Sequence, residues 1–377
     1  MTVRNRTTTQ IDSSACREAA ERLHAHLLSR HVREDGALVG PDPGVSLNLR
    51  ATRFVKSYLR ALPWQDRLYY LQAQAYWILD NLELAAITGD GRHKDAAVQC
   101  ADVVASRQAD EGWWHYPQGE WRNRVATVEG CFGALSLLTA FELAGERRFL
   151  DGAKLWYRYM VDKVGFQDCG ADSRAINYFA NVDRGLVPNN TTLALWFCAA
   201  LAAAAQDKTY LEHCEAMTNF LARCQLESGE LPYVVGSDQG PGRVHYLCFQ
   251  YNAFQFLDLA EYYRISGDER VLFVMKKLAE FVSGGLTAGG DARRDCDASR
   301  PAMHYFTAAV SAALARATSI KLGDYSRVAA RGYARLLSLQ HADGSFDYSL
   351  GDYGLLSDRR SYPRNQAMIL RHLLVPL

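Results

Sequence analysis

Two short strings in the chain pair an imidazole with a phenol: Val244-His245-Tyr246 and Met303-His304-Tyr305. Each opens a strongly apolar stretch of helical length. Abstracting a proton beside a carboxylate needs a base, commonly His or Tyr, and a neutralising group, commonly Asn or Arg. His245, Tyr246 or Tyr251, Asn189 or Asn190, and Arg243 or Arg184 supply that set, and His304 with Tyr305 is its counterpart one unit on. Bond hydrolysis would instead need two carboxyls, one of them with a raised pKa. Glu129 is the best single candidate, because it lies in the first turn of a nearly all-apolar helix, with Asp297, Asp347 or Asp183 as its partner. The simpler alternatives are structural. A carboxylate there suits the positive end of a helix, and a His-Tyr pair opening a helix can be a cap and a packed ring.

The residues leading into the other apolar stretches are aromatic, amide-rich and arginine-rich. They include Gln72, Trp114, Tyr116, Trp121, Arg124, Tyr178, Tyr233, Gln250, Asn252, Tyr305, Arg364 and Asn365. Flat aromatic faces suit the apolar faces of sugar rings, while amides and guanidinium groups suit hydroxyls and carboxylates. Trp114, Trp121, Arg124, Arg184, Asn189, Asn190, Arg243, Asn252, Tyr305 and Arg364 are therefore the expected binding residues. His245 and Cys248 are three apart, with Asp295-Cys296-Asp297 in the next loop, and such a set could in principle hold zinc. The spacing is loose, and the expected site uses neither metal nor cofactor.

These residues are positioned by a repeat. Apolar stretches of helical length end in short breaks at Gly89, Gly145, Gln206, Gly267 and Gly323, which are 56, 61, 61 and 56 residues apart. Even spacing on this scale signals a repeat architecture. Each unit holds an amphipathic helix, a glycine-containing turn, a variable loop and a far more apolar helix. Helices apolar on nearly every face are buried on nearly every face. Six such inner helices are expected at roughly 66–88, 124–144, 188–206, 244–265, 301–321 and 362–374. Six outer partners precede them, at roughly 13–31, 93–108, 147–163, 208–225, 269–283 and 325–340. Twelve alternating helices make an all-α, closed (α/α)6 barrel, expected as one domain over 1–377 with a flexible tail at 1–12.

Three turns after outer helices share a pattern. Gln108 to Trp114 reads QADEGWW, Gln225 to Leu231 reads QLESGEL, and Gln340 to Phe346 reads QHADGSF. This resembles the glutamine–aromatic repeat of the α/α-toroid superfamily, which includes terpenoid cyclases and protein prenyltransferases. The resemblance covers three of six outer helices, with Leu231 where an aromatic is usual. It implies scaffolding, the Gln bonding a neighbouring helix and the glycine permitting a tight turn. It also implies a mouth ringed by the loops entering the inner helices, whose first turns line the floor. No DxDD, DDxxD or Cys-His-Gly string is present, the stretch 127–133 offering a single carboxylate. Terpenoid cyclisation and lanthionine synthesis therefore lack their signatures. Protein prenyltransferases bind zinc through Asp, Cys and His, for which the loosely spaced His245, Cys248 and Asp295-Cys296-Asp297 are the counterpart. Many (α/α)6 proteins are glycoside hydrolases, polysaccharide lyases or sugar epimerases. The expected function is thus an enzyme on an acidic or uronate-containing glycan, by lyase, epimerase or hydrolase chemistry. An isoprenoid enzyme is the first alternative and a non-catalytic glycan- or partner-binding barrel the second.

Composition narrows the partners. With 42 basic and 42 acidic side chains, the chain has no net charge, which argues against broad nucleic-acid or anionic-membrane binding. No apolar h-region opens the sequence and no run approaches 18 uninterrupted apolar residues, so neither export nor a membrane span is expected. Nine cysteines without a CxxC read as reduced thiols in a cytoplasmic protein. A small molecule or oligosaccharide is the expected partner.

Overall fold

The computed structural model describes residues 10–43, 67–117, 121–181, 185–236, 240–352 and 356–377. The proposed tail lies outside them except at 10–12, where Asp12 caps the first helix by accepting from the Ala15 N–H. Among the described residues, twelve α-helices alternate between outer and inner positions. The outer ones are α1 (Ser13–Arg30), α3 (Gly91–Ser106), α5 (Arg147–Tyr159), α7 (Cys214–Cys224), α9 (Arg270–Ser283) and α11 (Ser326–Leu337). The inner ones are α2 (Leu71–Thr88), α4 (Thr127–Ala144), α6 (Pro188–Ala205), α8 (Cys248–Ser266), α10 (His304–Ser319) and α12 (Pro363–Leu374). Each inner helix packs on the next, and α12 packs back on α2, so the ring closes. The protein is an (α/α)6 toroid. Helix α4 is long and apolar enough by composition to cross a membrane, but 72% of it is buried inside the protein as a wall of the barrel.

The glycine–glutamine turns explain how outer helices keep their spacing. Gln108, Gln225 and Gln340 each donate through Nε2 to the glycine carbonyl of their own turn and to a carbonyl of the next outer helix. The latter acceptors are Gly152 in α5, Val274 in α9 and Ala19 in α1. At Gly112, φ is 100° and a Cβ would lie 2.5 Å from the Leu155 carbonyl carbon, so only glycine fits. Gly36, Gly170, Gly229, Gly290 and Gly344 also have positive φ and also abut the next outer helix. The turn is therefore sixfold, although the glutamine marks only three of its copies.

Two residues beyond five of these glycines, at Leu38, Trp114, Leu231, Ala292 and Phe346, the side chain is buried. Amides on inner helices clamp three of these anchors through both backbone groups: Gln74 on Leu38, Asn252 on Leu231 and Gln366 on Phe346. Leu231 is thus a working anchor, and the aromatic is optional.

Some boundaries differ from expectation. Inner helices begin later, at Leu71, Thr127, Cys248 and His304, because the residues before them run extended or, at Leu247 (φ 47°), left-handed. The fifth break turns on Lys321 (φ 62°), two residues before Gly323. Short strands occur where none was expected. β1 (Phe166–Asp168) pairs with β2 (Arg174–Ile176), and β3 (Ala302–Met303), β4 (Ser349–Asp352) and β5 (Leu356–Asp358) form a second antiparallel sheet. All lie in loops leading to inner helices.

Candidate active site

All six inner helices contribute to one cavity of about 190 Å³ at their N-terminal ends. Its floor and walls hold Gln72, Glu129, Asn189, Gln250, Tyr251, Asp258, Tyr305 and Arg364, with Tyr116, Trp121, Tyr178 and Tyr233 from the loops above. The rings touch edge to face or tilted: Tyr116–Trp121 centroids are 5.4 Å apart and Trp121–Tyr178 5.6 Å. Such a wall offers flat apolar faces and phenol hydroxyls together.

Glu129 is the third residue of α4 and is buried. Its position is fixed by the loop before it, where the Thr127 N–H donates to the Tyr178 carbonyl at 3.0 Å. Its Oε2 accepts from the Leu71 N–H at 2.7 Å. The carboxyl thus takes up a backbone donor that α2, like any helix, leaves without an internal partner. Burial pushes its pKa up from 4.5 to about 7, against the pull of the Leu71 and Gln72 N–H groups and of Arg364. A carboxyl near 7 can give or take a proton at neutral pH. The capping role and the chemical one are compatible here, because the same group caps α2 and faces the cavity.

Arg364, at the start of α12, is held in a fork by Asp42, with Nε–Oδ2 2.6 Å and Nη2–Oδ1 2.9 Å. Its Nη1 donates to Gln72 at 3.1 Å, and the guanidinium stacks over the Tyr70 ring at 4.6 Å. Asp258 lies on the stripe Tyr251, Phe254, Asp258 of α8, and its Oδ2 accepts from the Thr192 hydroxyl at 3.0 Å. Burial raises its pKa well above the ordinary value, with the Thr192 bond pulling the other way. Burial likewise raises Tyr251, Tyr305, Tyr178 and Tyr116, so these phenols keep their protons.

Of the residues expected from sequence, the structure brings Glu129, Tyr251, Trp121, Asn189, Tyr305 and Arg364 into this cavity. Others fall elsewhere. Trp114 is a turn anchor, buried against Gly133 with its Nε1–H on the Val104 carbonyl. Asn252 spends its amide clamping Leu231. Asn190, one residue from Asn189, is fully buried and does not line the cavity. His304 is buried at the first position of α10, edge-on to Phe346, and burial lowers its pKa to about 4. His245 precedes α8 by three residues and is half exposed, its Nδ1 3.0 Å from Glu230 Oε2. The two His-Tyr strings are therefore not structurally equivalent, and neither imidazole lines the cavity. Tyr246, Arg243 and Arg124 belong to the rim. Arg243 stacks over Tyr246 at 4.1 Å, Tyr246 packs on Tyr233 and Tyr251, and Arg124 is exposed beside Phe179. Arg184 and Asp183 lie outside the described residues. Asp347 bonds His341, and neither it nor Asp297 lines the cavity.

Sequence reasoning missed Asp42 and Asp258. Asp42 lies between α1 and α2, 322 residues from its partner. Asp258 is legible in hindsight as an acid at the i, i+3, i+7 spacing from Tyr251 on an apolar helix face. A larger cavity of about 770 Å³ opens at the opposite ends of the inner helices. Leu and Ala dominate it, and its arginines are taken by Glu83 and Glu261, so the groups suited to proton transfer converge at the other end.

No known family profile matches the chain, and no curated protein matches it in sequence. Solved structures do share the fold. Cellobiose 2-epimerase from Bacillus thermoamylovorans superposes with a TM-score of 0.75 at 11% identity, over 96% of this chain and 99% of that one. A possible member of the GH105 family from Salmonella enterica gives 0.69 at 12% identity, over 97% and 94%. An inactive variant of the α-1,6-mannanase GH76A of Salegentibacter sp., in complex with α-1,6-mannotriose, gives 0.68 at 13% identity, over 95% and 98%. The chain is thus similar in fold to toroids named as carbohydrate enzymes.

Proposed function

We propose that the protein is a carbohydrate-active enzyme that moves a proton at a sugar carbon, in the manner of an epimerase or lyase, on an acidic or uronate-containing saccharide. The observation that carries this reading is Glu129, a cavity-facing carboxyl with a pKa of about 7 among phenols that remain protonated. In this reading Glu129 is the base. Tyr251, Tyr178 or Tyr305 returns or relays the proton, and Asn189 and Arg364 hold the polar groups of the substrate. A ring would stack on Trp121 and Tyr116. Acidic substituents would meet the rim cations Arg124 and Arg243. The fold shared with an epimerase and glycan-processing toroids supports the substrate class. Nine cysteines outside any disulfide suit a reducing, cytoplasmic setting.

Hydrolysis fits less well. Burial raises both carboxyls, Glu129 to about 7 and Asp258 well above the ordinary value, whereas a glycosidase pair needs one of the two ionised. Proton abstraction by His245 or His304 is set aside, because neither reaches the cavity.

A panel of ligands tests the class. Thermal unfolding would be recorded with acidic oligosaccharides, neutral oligosaccharides, and prenyl diphosphates with magnesium. A ligand at a hundred times its dissociation constant stabilises the folded state by about 2.7 kcal/mol. The reading expects the midpoint to rise with acidic saccharides, and those that bind to be converted. A rise with prenyl diphosphates alone would replace it with the isoprenoid alternative. Binding of saccharides without turnover of any would replace it with the non-catalytic barrel.

A further inference from the structure

We propose that Glu230, His245, Cys248 and Cys296 bind one zinc-class divalent cation at the rim of the barrel. The four donor atoms all lie within 4.8 Å of one another. A tetrahedral zinc ion with bonds of about 2.0–2.3 Å places its donors roughly 3.3–3.8 Å apart, so side-chain adjustments of an ångström or so complete the shell. The residues come from separate segments: Glu230 follows the turn glycine after α7, His245 and Cys248 lead into α8, and Cys296 sits in the loop between α9 and α10.

The chemistry of the cluster also points to a cation. The Glu230 side chain is 1% exposed, yet its ion-pair partner among the described residues is a half-exposed imidazole. Beside it the sulfur atoms of Cys248 and Cys296 approach to 2.7 Å. A buried carboxylate whose partners are a half-exposed imidazole and a thiol is only partly compensated for its desolvation, whereas a bound cation would complete the compensation and draw both sulfurs into the thiolate form. The Cys296 N–H already donates to Cys248 Sγ at 3.0 Å, which is how an outer-shell donor steadies a coordinating thiolate. Two thiolates with an imidazole and a carboxylate select zinc over magnesium or calcium. Four protein ligands leave no open position, the arrangement of a structural site. None of the four lines the cavity, so the ion ties the loops that carry Tyr233 and precede Tyr305 to the start of α8. Of the loop Asp295-Cys296-Asp297 that the sequence offered, Cys296 alone joins the cluster, and Glu230 is the ligand the sequence did not offer.

The test is metal analysis of the full-length protein purified without chelator, beside His245→Ala and Cys296→Ser. The expected result is about one zinc per chain, lost in Cys296→Ser and bound at least about tenfold more weakly in His245→Ala. Because His245 is half exposed, its variant keeps the fold, which thermal unfolding would check. Cobalt added to the zinc-stripped protein should give thiolate charge-transfer absorption that Cys296→Ser lacks. Three results overturn the proposal: no bound metal in the parent, metal content and affinity indifferent to both substitutions, or intact mass and thiol titration showing Cys248 joined to Cys296 as a disulfide.

Discussion

A single carboxyl sets the chemistry proposed for the cavity. Glu129→Gln keeps an oxygen that can accept from Leu71 and so preserves the cap on α2, but it cannot titrate. Turnover should fall by about 10²–10⁴-fold while the fold stays intact. In the parent, kcat/KM should rise with pH to a plateau above about 7, because the base acts in its charged form. Stability moves the opposite way. Between pH 4.5 and 7 the folded chain holds a proton that the unfolded chain releases, so this group's contribution is full below 4.5 and lost as pH rises through 7. Relative to the parent, Glu129→Gln should therefore gain stability across that window, by about 3 kcal/mol at pH 8. Chemical denaturation at pH 5 and pH 8 measures it, and equal offsets at both would show that the carboxyl titrates normally.

At the scale of elements, the turn glycines are not alike, and two substitutions separate their roles. Gly112→Ala meets both a positive φ and a Cβ 2.5 Å from the Leu155 backbone, and should cost about 3 kcal/mol or more. Gly145→Ala meets the positive φ alone, with nothing within 4 Å, and should cost about 1 kcal/mol. Urea midpoints compare them, and similar losses would mean the spacing of outer helices does not depend on the Gly112 turn. The helical repeat was legible in sequence because burial on all sides forces apolar inner helices, and because left-handed C-caps select Gly89, Gly145 and Gly267. The exact starts of the inner helices were not. Leu247 in the left-handed region delays α8 to Cys248, and this small displacement moves His245 from the floor to the rim. Trp114 and Asn252 misled for a related reason: an aromatic or amide near a helix start serves the scaffold as readily as a ligand, and only tertiary partners tell the two apart. Glu129 could be found because a carboxyl is conspicuous in an apolar helix, whereas Asp42 reaches Arg364 only through the closure of the ring.

Across the whole molecule, buried titratable groups pull in two directions. Burial lowers His24, His31 and His304 to about 4 and His372 to about 3, so each adds stability above pH 6.5 that is lost as pH falls through those values. Burial raises Glu129, Asp80 and Asp258, whose contributions are lost as pH rises. Each fully offset group contributes a slope of about 1.4 kcal/mol per pH unit, and the two sets act with opposite sign. Removing one imidazole should unmask the balance. His372, packed between Tyr76 and Phe254, is the best choice. His372→Leu should gain on the parent by about 1.4 kcal/mol for each pH unit below 6.5. Parallel stability curves for the two proteins would show that His372 charges freely in the folded state.

The measurement that most directly tests the central claim is solvent exchange into a bound saccharide. A uronate-containing oligosaccharide that stabilises the protein would be incubated in heavy water with the parent and with Glu129→Gln, and the recovered sugars examined by NMR. The account predicts deuterium at one ring carbon, or loss of that carbon's proton in an unsaturated product, with the parent, and neither change with Glu129→Gln. Cleavage of the saccharide with every carbon-bound proton retained, or exchange undiminished in Glu129→Gln, would contradict it.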